Sequence, residues 1–199
     1  MIEPPSLPTL DPAEAFRQGT HPLNFSVGEF WQWAFSDLRS NTTRGVLAEF
    51  IVARALGLPT SVRNAWDNYD LLALDQTKVE VKATGRAQSW DQKKSSPPLF
   101  TGLKARKWLD DTSYSPDQQF RADAYVFCLH TAEPGAPYDP LDLSLWKFRV
   151  LGRSELVKLN QKSLGLSTLH RLAPTNVPWE QLKQRVSETG SRERERSGA

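Results

Sequence analysis

The chain has 199 residues, 39% of them hydrophobic, and a formal net charge of +2. That length supports one substantial core rather than two, and seven Trp with nine Phe exclude a wholly disordered chain. The single cysteine, Cys128, excludes an intrachain disulfide framework and a zinc site of several thiolates, while the near-neutral balance says nothing by itself about polyanions.

Residues 1–24 are rich in Pro and polar side chains without sustained periodicity, which predicts an extended N-terminal arm. The start, Met-Ile-Glu-Pro-Pro, lacks a basic stretch followed by an apolar one, and no apolar run approaches membrane-spanning length. The expectation is a cytoplasmic protein with no membrane partner. Ser26 is placed to cap a helix running to about Leu38, whose Phe30, Trp31, Trp33 and Phe35 read as packing residues. A second helix, capped by Thr42 or Thr43, ends at Gly57 before Pro59. Glu49 is the anomaly on it. Helical spacing sets this acid among Gly45, Val52, Ala53 and Leu56, so it needs a partner, such as Arg63, or a purpose.

Asp70-Leu-Leu-Ala-Leu, a turn at Asp75-Gln76 and Lys78-Val-Glu-Val-Lys-Ala-Thr predict an antiparallel hairpin. On its second strand Val79 and Val81 face one way, Glu80 and Lys82 the other. Ala124 to Leu129 is continuously apolar and suits a central strand, with Cys128 buried in it; Trp146 to Leu151 alternates like a more exposed strand. These elements make an α/β (α+β) domain with a sheet of four or five strands over residues 25–188. Short helices are expected at 154–159, 167–172 and 178–188, with a disordered, charge-alternating tail at 189–199. The three histidines show no ligand spacing.

The chemistry concentrates around the hairpin. Hydrolysing a phosphodiester needs a divalent cation to offset phosphate charge and activate water, with a cationic group to orient that water or stabilise the transition state. Asp70 at the start of one strand and Glu80 on its partner can converge on one ion, with Lys82 on the same face. From Lys78 to Lys107 eight basic residues stand against two acidic ones, a stretch suited either to a polyanion or to solvent.

Glu49, Asp70 and Glu80-Val81-Lys82 resemble the site of the PD-(D/E)XK superfamily of restriction-endonuclease-like nucleases, over the span from Arg44 to about Leu129. That resemblance implies a mixed sheet flanked by helices and metal-dependent cleavage of nucleic acid, DNA in preference to RNA. It implies Mg²⁺, with Mn²⁺ as substitute, held by Asp70, Glu80 and the Val81 carbonyl. Lys82 would position the attacking water, and Glu49 would hold an outer water or a second ion. The superfamily's Pro is replaced by Tyr69, as in many members, and Asp67 rivals Asp70 as ligand. The segment through Gln88, Trp90 and Gln92 is also similar to a poorly characterised bacterial family sharing an EVK segment and a Gln-x-Trp-x-Gln stretch.

Arg86, Gln88, Lys93 and Lys94 are the candidate nucleic-acid contacts; Trp90 suits either stacking on a base or the core, and favours the core. Many such nucleases act as homodimers, but no dimer face is marked. A non-catalytic nucleic-acid-binding or assembly module keeping the same fold is the competing reading. A metabolic α/β enzyme finds no Gly-rich phosphate loop or nucleophile elbow to support it. Defence or repair is the role suggested by family analogy alone.

Overall fold

The computed structural model describes residues 8–59, 62–63, 68–95, 97–106 and 115–198. It opens with a hairpin of β1 (Ala15–Gln18) and β2 (His21–Ser26), followed by α1 (Val27–Phe35). Ser26 and Glu29 form a reciprocal capping box at the start of α1, as the Ser-x-x-Glu spacing allows. The expected arm is therefore partly a hairpin: Gly19, at φ 63°, makes the tight reversal that two strands need.

Helix α2 (Asn41–Leu56) starts one turn later than α1 ends, capped by Ser40 rather than by Thr42 or Thr43. Gly57 takes the left-handed conformation and closes it, as its composition predicts. Ala48, Ile51, Val52 and Leu56 recur at helical spacing and bury one stripe against the sheet.

The sheet consists of β3 (Leu71–Leu72), β4 (Lys78–Gly85), β6 (Ala124–His130) and β7 (Trp146–Gly152), in that spatial order; β5 (Leu99–Phe100) lies apart. Strands β3 and β4 are antiparallel, β4 and β6 parallel, β6 and β7 antiparallel, so the sheet is mixed and four-stranded. All seven residues of β6 are buried, which is why its run is apolar on both faces. Cys128 lies there, buried, and burial pushes its thiol far up, as befits an inert structural cysteine.

Two cores lie on opposite faces. Val79, Val81, Val126 and Phe148 pack towards α2 and the C-terminal helix, while Tyr125, Phe127, Leu129 and Leu151 pack towards α3 (Arg153–Leu159), β8 (Leu164–Gly165), α4 (Leu166–Leu172) and β5. Glu80 and Lys82 point to the second face, beside Tyr125 and Phe127 in register.

The expected disordered tail is instead helical. Helix α5 runs Leu182–Gly198 and presents Leu182, Val186, Thr189, Gly190 and Glu193 inward at intervals of three and four. Among the contacts that hold it, Gly190 lies directly against the Thr77 side chain, and the buried Glu193 carboxylate accepts from the Ser154 N–H (3.0 Å) and Oγ (2.6 Å), capping α3. Among the described residues no helix is long and apolar enough to cross a membrane.

Candidate active site

The candidate site lies where β3 stops short of its neighbour. Asp70 donates its backbone N–H to the Val79 carbonyl (3.0 Å), continuing the hairpin, and its carboxylate Oδ2 accepts the Val81 N–H at 2.7 Å. A strand residue directs its N–H and C=O to the same edge, so the Val81 carbonyl also faces the edge where Asp70 sits. The leucines after Asp70 continue it into a strand, β3 beginning at Leu71, which favours it as the ligand; its rival Asp67 lies outside the described residues.

Glu80 and Lys82 form a same-face ion pair, Nζ to Oε1 2.6 Å. It is not the exposed pair that would arise by chance on a hairpin: Glu80 is 9% exposed, and the Lys82 side chain is largely covered. Burial pushes the Glu80 carboxyl up to about 7; the nearby Asp70 charge adds to this and Lys82 opposes it. The backbone turns past the Lys82 tip at Gly102, whose φ of 67° suits glycine. Tyr125, next to Glu80 in register, is a site neighbour that sequence reading missed; its phenol is raised by burial and by the Glu80 charge. Only the β4–β6 register reveals it, and no signal in either strand's sequence states that register.

Glu49 comes from α2 and is taken by Arg63, which donates from Nε to Oε2 and from Nη2 to Oε1 (2.8 Å). Thus the acid found its partner on its own chain. Burial still raises the Glu49 carboxyl, with Asp70 adding and Arg63 opposing. An open groove of about 380 Å³ runs past Glu49, Arg63 and Asp70, walled by Val46, Phe50 and Leu72.

The remaining candidates separate. Gln88 turns inward: Nε2 donates to the Gly85 carbonyl (3.0 Å) and Oε1 accepts from buried Arg44 (3.2 Å). Gln92 accepts the Gln88 N–H (2.6 Å) and donates to the Arg86 carbonyl (3.2 Å), so the two glutamines staple the loop rather than reach for substrate. Arg86 pairs with Glu133 (3.1 Å). Lys93 and Lys94 are exposed on that loop, and so is Trp90, contrary to the core position favoured for it.

The donor set suits a hard cation, being carboxylate and carbonyl oxygen, and the Glu80 carboxyl is raised chiefly by burial and then by the nearby Asp70 charge, both of which a cation would offset. Among the described residues, however, no three His, Cys, Asp or Glu side chains form a ligand cluster, so protein carboxylates alone would leave coordination positions for water or phosphate. Comparison with family models, curated proteins and solved structures finds no match.

Proposed function

We propose that the chain is a metal-dependent nuclease that hydrolyses phosphodiester bonds in nucleic acid, DNA in preference to RNA. The observation that carries this reading is the grouping on the β3–β4 hairpin of Asp70, whose carboxylate accepts the Val81 N–H, with the largely buried Glu80–Lys82 pair. When bound there, Mg²⁺ or Mn²⁺ would supply charge neutralisation of the phosphate and a lowered pKa for water. Asp70 and Glu80 would hold it, with the Val81 carbonyl beside them.

Lys82 would orient the nucleophile. Its ammonium neutralises Glu80; were Glu80 to hold a cation instead, Nζ would be free to hold a water or a phosphate oxygen. Glu49 acts at one remove, since Arg63 occupies both of its oxygens. Displacing Arg63 onto a substrate phosphate would free Glu49 for an outer water.

A second reading, a nucleic-acid-binding module without catalysis, is favoured by that same neutralisation: two of the three acids already have a cation of their own. One experiment separates the two. Purified protein is incubated with supercoiled plasmid, single-stranded DNA and RNA in Mg²⁺, Mn²⁺ or EDTA, beside Lys82→Ala. Metal-dependent nicking that falls by about 10²-fold or more in Lys82→Ala is the expected outcome. Binding without cleavage in every metal would give the second reading.

A further inference from the structure

The stretch Gln88-Ser-Trp90-Asp-Gln92 follows β4 and has no part in the candidate site. Its two glutamines close it into a loop: the Gln88 N–H donates to Gln92 Oε1 (2.6 Å), and Gln92 Nε2 donates to the Arg86 carbonyl (3.2 Å). Gln88 also reaches inward, its Oε1 accepting from Nη2 of Arg44, a residue only 1% exposed. Nε and Nη1 of Arg44 find no hydrogen-bond partner among the described residues, and Nη1 lies so close to Gly85 that a Cβ there would collide with it. A buried guanidinium with unpaired donors is costly. The chain tolerates one here, under the base of this loop.

What the loop presents is Trp90, 57% exposed, with Lys93 and Lys94 exposed after it in the chain. A single exposed apolar side chain is ordinary on a protein surface. An indole held out on a loop stapled by two glutamines and a buried arginine is pre-organised, which lowers the cost of using it to bind. From Arg86 to Lys94 three bases stand against Asp91, and Glu133 offsets Arg86, so the local sum is +1, with both lysines outside any ion pair among the described residues. A flat aromatic face beside unpaired cations suits single-stranded nucleic acid, whose bases stack on the ring while its phosphates follow the charge. A base inside a duplex is already stacked on its neighbours, so only an unpaired one can use the ring. Lys82 stands three residues, about 10 Å, before β4 ends at Gly85, which puts the loop and the candidate site on one run of chain.

We infer that Trp90 is a stacking platform for an unpaired nucleobase, with Lys93 and Lys94 on the adjoining phosphates, and that the nucleic acid bound is single-stranded where it crosses this loop. The inference rests on the nucleic-acid reading proposed above, but not on catalysis.

Fluorescence anisotropy on the full chain, in EDTA and again in Ca²⁺, tests it with three labelled ligands: an oligothymidylate of about 12 nucleotides, a duplex of the same length, and a strand with the same phosphates but abasic throughout. Trp90→Ala should weaken oligothymidylate binding about 10-fold, as loss of one stacked base does, and Trp90→Phe should recover most of it. Trp90→Ala should leave the duplex and the abasic strand bound as the wild type binds them, because both are held through phosphates alone. The ring faces solvent, so circular dichroism should show the fold unchanged in both variants. Equal oligothymidylate affinity in wild type and Trp90→Ala would overturn the inference, as would an equal loss on the abasic strand. Metal-dependent plasmid nicking by a wild type whose oligothymidylate binding Trp90→Ala leaves intact would strike the platform and spare the nuclease. A wild type that binds none of the three ligands up to ~100 µM would overturn both.

Discussion

Glu80 carries the pH behaviour of the molecule's candidate site. Its folded carboxyl is raised from 4.5 to about 7, chiefly by burial, so the native chain binds a proton there that the unfolded chain has released. A raised folded pKa stabilises most below the unfolded value, and that contribution is lost as pH rises through the folded one. In EDTA, Glu80→Gln should therefore be the more stable form at about pH 8, with the difference closing towards pH 4. Thermal denaturation of both proteins across that range checks it. A wild type that gains on the variant as pH rises would mean that the site favours the ionised carboxylate without any cation. The same residue shows what the sequence could and could not tell. Its strand, its face and its pairing with Lys82 follow from alternation alone. Its burial does not, because its neighbour Tyr125 comes from β6, which no local pattern brings near. Glu49 is similar: its placement among small and apolar neighbours was readable, and Arg63 was a nameable partner, but only the fold closes the fourteen residues between them.

At the scale of elements, α5 is where sequence reading went furthest wrong. Arg192-Glu-Arg-Glu-Arg looks like a solvated tail because it has no apolar anchor, and a glycine at 190 counts against a helix by about 1 kcal/mol relative to Ala. The structure uses that glycine for close approach. A Cβ at 190 would collide with the Thr77 side chain, itself buried in the turn between β3 and β4. Helix propensity and packing therefore oppose one another in Gly190→Ala. The propensity gain is about 1 kcal/mol, whereas overpacking a fixed site costs about 1–3 kcal/mol, so the variant should lose roughly 1 kcal/mol net. Urea denaturation measures this directly; a stabilised Gly190→Ala would show that α5 stands off from Thr77. The contact also reaches the site, since the Thr77 turn joins the strand led by Asp70 to the strand that carries Glu80 and Lys82.

For the whole molecule, the question is where a polyanion would lie. Net charge is nearly balanced, and the arm of residues 8–35 is acidic, so the basic stretch after β4 is the first place to seek phosphate contacts. Within it the structure divides the cations that sequence alone could only count together. Arg86 is occupied by Glu133, whereas Lys93 and Lys94 stand exposed on a loop fixed at both ends by Gln88 and Gln92. Fixing the loop lowers the conformational cost of presenting two lysines to one backbone. If duplex DNA lies along it, each lysine neutralising a phosphate contributes about 0.9 to the slope of log affinity against log salt. Replacing Lys93 and Lys94 by Ala in a Lys82→Ala background should then reduce that slope by nearly two, and Arg86→Ala by less, because its side chain must first leave Glu133. Fluorescence anisotropy with a labelled duplex over a salt series reads both. Unchanged slopes would move the nucleic-acid track off this loop and towards the groove beside Arg63.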